Sequence, residues 1–406
     1  MKQFLFISDW INPFEPHFGG AQRSNLLLRA FLQLGNVDVI AFADGVESNM
    51  DGCKVLYSKE LRTSPYVSRL KKWSGLLTPW NPYSIYPINK EKEVIVDGFV
   101  AQKKYDAIVV RYVPEAMTSG LMKYADRLII DVDDHPKDAL YNMARQINSK
   151  PNKIYHYIAS ALAPITVRSL ANQIKAALFP NPLQIAGKHG YFLPNISLEE
   201  PQTEYVDFLR TSPCLFFVGR LDYGPNYLGI DWFIDNVWPI VKQNISSAEF
   251  HVAGKFTMDY VVEPYFEKWR AIDGISVLGF IDDINTEYAA CRATISPIFA
   301  GAGTNIKLIE SMQRKRVCIT TECGLRGMKS FISTGKEVLV ASDAKEFAQM
   351  CIRALTDETF NHQIAGNAYA VVEKYFTHQA FNNIIGQIMN KQCERSKKVR
   401  NEVIRQ

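Results

Sequence analysis

The sequence predicts an α/β protein built on two parallel, doubly wound sheets. Short β-favouring apolar runs alternate with helical stretches through both halves of the chain. The runs are apolar at successive rather than alternate positions, as strands covered on both faces are. The length of 406 residues exceeds what one hydrophobic core normally serves, so two domains are expected.

In the first half the strand-like runs are residues 4–8, 37–42, 107–110, 128–131 and 176–179. Between the first two, residues 21–34 place Leu27, Phe31 and Leu34 on one helical face, with Gly35 as the residue just past the helix end. Gly19-Gly20, ahead of that helix, reads as a tight turn needing positive φ. The rhythm restarts at 214–218 and continues through 250–253, 275–280, 293–299, 317–320 and 338–340, with a helix at 227–237. At Pro194-Asn195 and the polar run 198–203, turn formers and charge replace apolar periodicity, which predicts a hinge. The expected domains are therefore 1–197 and 198–375. The remaining segment, 376–406, keeps helical spacing at Phe381, Ile384, Ile385 and Met389 before the basic Lys397-Lys398-Val399-Arg400, and is expected to pack back on the first domain.

Composition narrows the partners. A net charge of +4 is a weak bias toward anions, and without an arginine-rich arm, RNA-binding aromatic signature or zinc-finger spacing, nucleic acid is excluded as a partner. Seven cysteines, at 53, 214, 291, 318, 323, 351 and 393, are an odd number with no C-x-x-C pair. Reduced thiols in the cytoplasm fit that usage. The apolar run at the start is short and meets Asp9, so it reads as a strand and not a signal peptide. With no run near the roughly 20 apolar residues that cross a bilayer, any membrane association is expected to be peripheral.

Residues 279–321 are the most informative. They read as strand, helix, strand, glycine loop, helix, strand, with Gly301-Ala302-Gly303-Thr304-Asn305 opening the second helix. A glycine loop lets backbone N–H groups approach an anion, and the helix N-terminus adds unpaired donors and partial positive charge. Lys307, one turn in, can neutralise phosphate oxygens. Glu310, three residues on and on nearly the same face, suits two ribose hydroxyls. Arg220, at the end of the strand 214–218, lies where open α/β sheets bind ligands and offers a fork for two phosphate oxygens. Together these residues outline a nucleoside diphosphate.

The second half resembles the donor-binding domain of GT-B-fold, retaining glycosyltransferases of the family 4 type (glycosyl transferases group 1), especially those serving surface-polysaccharide and lipid-linked glycan assembly. The likeness runs in order through Val218-Gly219-Arg220, Pro225-Asn226, Trp232-Phe233, Trp238-Pro239, Val252-Ala253-Gly254, Gly279-Phe280-Ile281-Asp282-Asp283 and the segment 301–312. In the first half it rests on Gly19-Gly20, Asp131-Val132-Asp133-Asp134-His135 and Leu193-Pro194-Asn195. The resemblance implies two Rossmann-like domains facing each other across a cleft, with the acceptor held by the first. It makes Glu310 the ribose-binding glutamate and Arg220 the arginine that meets the diphosphate. It also implies retention by front-side attack, a donor phosphate oxygen taking the acceptor's proton.

Two departures stand out. Many relatives carry a second glutamate eight residues before Glu310, where this chain has Ala302, and a lysine shortly after the arginine, where it has Tyr223-Gly224-Pro225-Asn226. Lys307 replaces that cation, with Lys255 as a second candidate. With Arg220, Lys307 and a helix terminus in place, a metal ion is dispensable, so transfer is expected to be metal-independent and without a cofactor; the donor is a uridine or guanosine diphosphate sugar.

Gly19-Gly20 is a candidate contact for the donor phosphate or the acceptor. Asp131-Val132-Asp133 matches the metal-binding pair of the other large glycosyltransferase fold, but with a phosphate site elsewhere it is read instead as the C-terminal end of a strand facing the cleft. There His135 is a candidate contact for the transferred sugar or acceptor hydroxyl. Residues 66–86 mix Arg69, Lys71, Lys72, Trp73, Leu76, Leu77, Trp80 and Tyr83, which suits the cytoplasmic face of a membrane or, equally, packing on the first domain. Two alternative functions share this plan: a nucleotide-sugar 2-epimerase, and a catalytically silent nucleotide-sugar-binding partner in a polysaccharide complex, the latter suggested by Ala302.

Overall fold

The computed structural model describes residues 1–16, 19–61, 69–81, 83, 85–199, 201, 203–301 and 304–390. The chain divides into two compact units, Met1–Pro194 with the segment from Phe381 onward, and Asn195–Ala380.

The first unit holds strands β1 (Lys2–Ser8), β2 (Gly35–Ala41), β3 (Cys53–Ser58), β4 (Ala107–Arg111), β5 (Leu128–Asp131), β6 (Ala176–Phe179) and β7 (Gly190–Phe192). They form a parallel sheet in the order β3-β2-β1-β4-β5-β6-β7. Helices α1 (Gly19–Leu32), α2 (Arg69–Gly75), α3 (Lys90–Gln102), α4 (Val113–Thr118), α5 (Pro136–Gln146) and α6 (Lys150–Gln173) connect them. Phe4, Leu5, Phe6 and Ile7 are all buried, which is why their run shows no alternation.

The second unit repeats the plan with β8 (Cys214–Val218), β9 (Glu249–Ala253), β10 (Ile275–Gly279), β11 (Ala293–Ser296), β12 (Val317–Thr321) and β13 (Leu339–Ala341). These are parallel in the order β10-β9-β8-β11-β12-β13. Its helices are α7 (Gly224–Asn236), α8 (Trp238–Asn244), α9 (Asp259–Arg270), α10 (Ile284–Ala290), α11 (Ile306–Gln313), α12 (Ala344–Thr356) and α13 (Glu358–Tyr375); α14 (His378–Met389) starts at the end of this unit and from Phe381 onward belongs to the first. Phe233 centres an aromatic core, with ring centroids 5.0 Å from Phe250 and 5.7 Å from Phe347. The doubly wound parallel fold class is the one the sequence predicts.

Details differ for identifiable reasons. Gly19-Gly20 is not a positive-φ turn but the first two residues of α1. Gly35 is not a helix cap: it is the first residue of β2, where a Cβ would lie 2.2 Å from the Lys2 carbonyl oxygen. Glycine is needed there for backbone approach, not for left-handed φ. The strand expected over 293–299 stops at Ser296, because Pro297 has no N–H to add to a ladder. In α14, Phe381, Ile385, Ile388 and Met389 are buried, and Lys2 Nζ donates to Asn390 Oδ1 at 3.1 Å. The basic run at 397–400 lies outside the described residues. No helix among the described residues is long and apolar enough to cross a membrane.

Candidate active site

In the second unit the chain winds from β8 through β9 and β10 in one direction and through β11, β12 and β13 in the other. The C-terminal ends of β8 and β11 therefore flank a topological switch point, where connecting loops diverge and leave a crevice for a ligand. Both predicted phosphate-binding segments arrive there: Gly219-Arg220 follows β8, and the loop leading to α11 follows β11. Gly254, at the end of β9, has φ +151°, and a Cβ on it would lie 1.6 Å from the Gly219 carbonyl oxygen. Backbone rests on backbone here, which no side chain permits.

Arg220 is half-exposed and held from behind. Its Nε donates to Asp222 Oδ1 at 2.5 Å and its Nη2 to Oδ2 at 3.3 Å. Asp222 is buried and also accepts from the Thr257 N–H at 2.8 Å and hydroxyl at 2.9 Å. Burial alone would raise this carboxyl; Arg220 and the Thr257 donors outweigh it and hold it at about 2. Asp222 thus stays ionised at any working pH and fixes the guanidinium plane.

Lys307 enters from α11. Its stem crosses Gly219, where a Cβ would come within 3.1 Å of Lys307 Cε. Its ammonium lies 5.3 Å from the Phe217 ring centroid and donates to Asn226 Oδ1 at 3.2 Å. Asn226 Nδ2 in turn donates to the Arg220 carbonyl at 2.6 Å. One asparagine in the first turn of α7 therefore ties the backbone of one cation to the head of the other. Burial pushes the Lys307 ammonium down to about 8, with Glu310 pulling in the opposite direction. Burial raises the Glu310 carboxyl, opposed by Arg314 and Lys307 and reinforced by Glu199.

The loop between them is prepared for an anion. Gly301 has φ +118°, and its carbonyl accepts from Arg326 Nη1. Asn305 precedes α11 without capping it; its amide instead ties the loop to Ser296 Oγ at 2.7 Å and the Gly324 carbonyl at 3.2 Å. The first turn of α11 carries no acidic residue. The Thr304 hydroxyl is buried with no hydrogen-bond partner among the described residues. A phosphate oxygen would satisfy both the hydroxyl and the helix terminus. Gly303 and Ala302 lie outside the described residues. Lys255 is exposed and gives the loop its carbonyl, which accepts from the Leu221 N–H.

In the first unit, β5 delivers Asp131 into a buried network. Arg23 Nη2 donates to Asp131 Oδ1 at 2.6 Å and Arg23 Nε to Oδ2 at 2.9 Å, while Arg111 Nη1 bonds Oδ2. Arg111 also reaches Asp133 Oδ2 at 3.0 Å and the Gly20 carbonyl at 3.2 Å. Both oxygens of Asp131 are thus engaged by guanidinium groups. The Asp-x-Asp pair is an arginine anchor, and the carbonyl of Gly20, not its N–H, is what the network uses. His135 is buried and accepts from the Lys137 N–H through Nδ1 at 3.1 Å, capping α5. That fixes the neutral tautomer with hydrogen on Nε2, and burial lowers the ring's basicity further.

Part of the segment 66–86 is described. Leu76 packs with Leu140, Tyr155, Ala159 and Ala163, and the Lys72 ammonium lies 4.3 Å from the Tyr155 ring centroid. Leu77 and Trp80 are exposed. Residues 66–68, 82 and 84 lie outside the described residues.

Sequence reading missed Asp222, Thr257 and Asn226, which orient the cations. Asp222 lies in the turn that follows Arg220, where no strand or helix periodicity assigns its side chain a direction. Thr257, 35 residues further on, leaves no local signal.

Residues 212–357 match the family model described as glycosyl transferases group 1. Nearly the whole chain is similar in fold to sucrose-phosphate synthase from Thermosynechococcus elongatus, with TM-score 0.68 and 15% identity over 97% of this chain and 99% of that one. It is likewise similar to Anabaena HepE solved with UDP and glucose, with TM-score 0.63 and 15% identity over 96% and 100% of the two chains. WaaG, a glycosyltransferase involved in lipopolysaccharide biosynthesis, gives TM-score 0.62 and 14% identity over 96% and 100%. An uncharacterized 44.6 kDa protein in the cps region of Klebsiella pneumoniae is 22% identical over 294 residues, 70% of this chain and 74% of that one. Residues 212–357 are thus similar to the group 1 glycosyltransferase model, and the chain has the GT-B fold.

Proposed function

We propose that the protein transfers a sugar from a nucleoside diphosphate sugar, uridine- or guanosine-linked, to a glycan or lipid-linked acceptor, with retention and without a metal ion at the reacting centre. The carrying observation is the convergence of Arg220, Lys307 and the uncapped start of α11 on one switch point, with Glu310 a turn further along. Breaking the anomeric C–O bond leaves charge on the diphosphate, and these fixed cations and N–H dipoles stabilise it more in the transition state than in the bound donor. Two cations supply the charge a divalent ion otherwise would. Glu310 takes the ribose hydroxyls, and Gly301, Thr304 and Asn305 line the phosphates. Retention follows the front-side route, the donor phosphate accepting the acceptor's proton, so no strong protein base is needed.

HepE, solved with UDP and glucose, with UDP and with UDP-glucose, supports a uridine-linked donor. WaaG and the cps-region relative support a surface-glycan acceptor. The six described cysteines are free, which fits the cytoplasm. The family match does not favour the epimerase reading.

The test is a thermal-shift panel of nucleotide sugars followed by transfer assays with the stabilising donor. The expected result is stabilisation by one donor class, lost in Glu310→Ala, and turnover equal with Mn2+ added or withheld; a requirement for Mn2+ would refute the metal-free reading. In the same assay His135→Asn, which preserves a side-chain acceptor for the α5 cap, is expected to lower turnover while leaving the melting temperature unchanged. An unchanged rate removes His135 from the chemistry. Peripheral membrane contact through 66–86 uses Leu77 and Trp80. Co-sedimentation with anionic vesicles is expected to fall when both become serine, and sedimentation that ignores the change removes this segment from the reading.

A further inference from the structure

At the opposite end of the second sheet from Arg220 and Lys307, we infer a divalent-metal site formed by Cys214, Glu249 and His251, whose donor set fits Zn2+. Cys214 and Glu249 are register partners at the first positions of β8 and β9, and His251, two residues along, shares their side of the sheet. The Cys214 sulfur, a Glu249 carboxylate oxygen and a His251 ring nitrogen lie within 4.8 Å of one another.

A second observation concerns the imidazole. His251 Nδ1 lies 2.7 Å from Glu287 Oε2 on α10. A carboxylate accepts and does not donate, so Nδ1 carries the hydrogen and the lone pair of the neutral ring is on Nε2. Nε2 lies 4.0 Å from Glu249 Oε2, too far for a hydrogen bond. A carboxylate behind one ring nitrogen and an open lone pair in front is the arrangement that orients a metal-binding histidine.

The donor types agree. Thiolate, imidazole and carboxylate are the Zn2+ ligands, at about 2.3 Å for sulfur and about 2.0–2.2 Å for nitrogen and oxygen. Tetrahedral edges from those bonds are roughly 3.3–3.8 Å. The half-exposed Glu249 side chain closes the difference by a rotamer change, letting go of Ser212 Oγ, which now donates to it at 2.8 Å. Water completes the fourth position. Binding transfers the Cys214 thiol proton to solvent, and two nearby carboxylates, Glu249 and Glu287, balance the ion's charge. Placed at the sheet base, the ion staples β8 to β9 and, through Glu287, to α10. It takes no part in sugar transfer.

Co2+ titration of the reduced, chelator-stripped full chain tests this. One equivalent is expected to produce a thiolate-to-cobalt charge-transfer absorption, displaced by Zn2+, and Zn2+ alone is expected to raise the melting temperature. Cys214→Ser abolishes the band. His251→Ala and Glu287→Gln, both at partly exposed side chains and therefore safe if Cys214→Ser misfolds, weaken Co2+ binding at least tenfold. Absence of the band overturns the inference, as does a band that persists in all three variants, which would place the ion on other thiols.

Discussion

Replacing Lys307 with methionine is expected to lower kcat about a hundred- to a thousandfold, the scale on which one fixed transition-state donor acts, with a smaller rise in KM for the donor. Methionine keeps an apolar stem across Gly219 and Phe217 while removing the charge, so the loss reads electrostatics and not packing. The same substitution carries a pH signature. Burial holds the wild-type ammonium down to about 8, so in donor-free protein the charge fades as pH rises through 8, and nucleotide affinity is expected to fall, approaching tenfold per pH unit above it. The sign for folding is opposite. A native pKa below the ordinary lysine value of 10.5 means that between about 8 and 10.5 the unfolded chain holds a proton the native chain has released. Stability therefore rises with pH across that window. In Lys307→Met both slopes disappear. Isothermal titration of nucleotide between pH 7 and 10 checks this, and a variant whose affinity keeps the wild-type pH profile would remove Lys307 from the phosphate site.

What was legible in the chain followed from what is local in physics. Strands β1, β2, β4, β5 and β6 were readable because both faces are covered and the apolar signal is continuous. Strands β3 and β7 were not: Cys53–Ser58 is an edge strand with no fully buried residue and an apolar run of only three between Lys54 and Ser58, and Gly190–Phe192 is three residues long. Arg220, Lys307 and Glu310 were legible because a glycine loop ahead of a helix has a fixed register. Their supports were not, because Asp222–Thr257 and Asn226–Lys307 join residues 35 and 81 apart. Gly35 shows the same limit. Past a helix its sequence position suits a cap, yet its need for glycine comes from Lys2, on a neighbouring strand.

Asp131 is where a motif and its structure part most sharply, and it carries the largest expected effect on stability. Asp131→Ala is expected to cost about 3–5 kcal/mol, the range for breaking a buried ion pair by removing one partner. Arg23 and Arg111 are both essentially inaccessible and both depend on this carboxylate. Arg23 also donates to the carbonyls of Leu193 and Pro194, at 3.2 and 2.9 Å, so the network fixes the segment leaving β7 as well as α1. Without Asp131, Asp133 is the acid still within ion-pair distance of both arginines, 3.0 Å from Arg111 and 3.8 Å from Arg23, and it is partly exposed. It can neutralise one guanidinium incompletely and not two. Asp133→Asn is expected to cost much less, since Asp131 keeps both arginines paired. Chemical denaturation followed by a probe in the first unit distinguishes the two, because units of a multidomain chain need not unfold together. Equal costs for the two variants, or an Asp131→Ala protein within about 0.5 kcal/mol of wild type, the ordinary spread for surface changes, would show that the arginines find other partners. A variant that folds normally but fails to transfer sugar would give this aspartate a part in the chemistry, a role its complete burial between two guanidinium groups argues against.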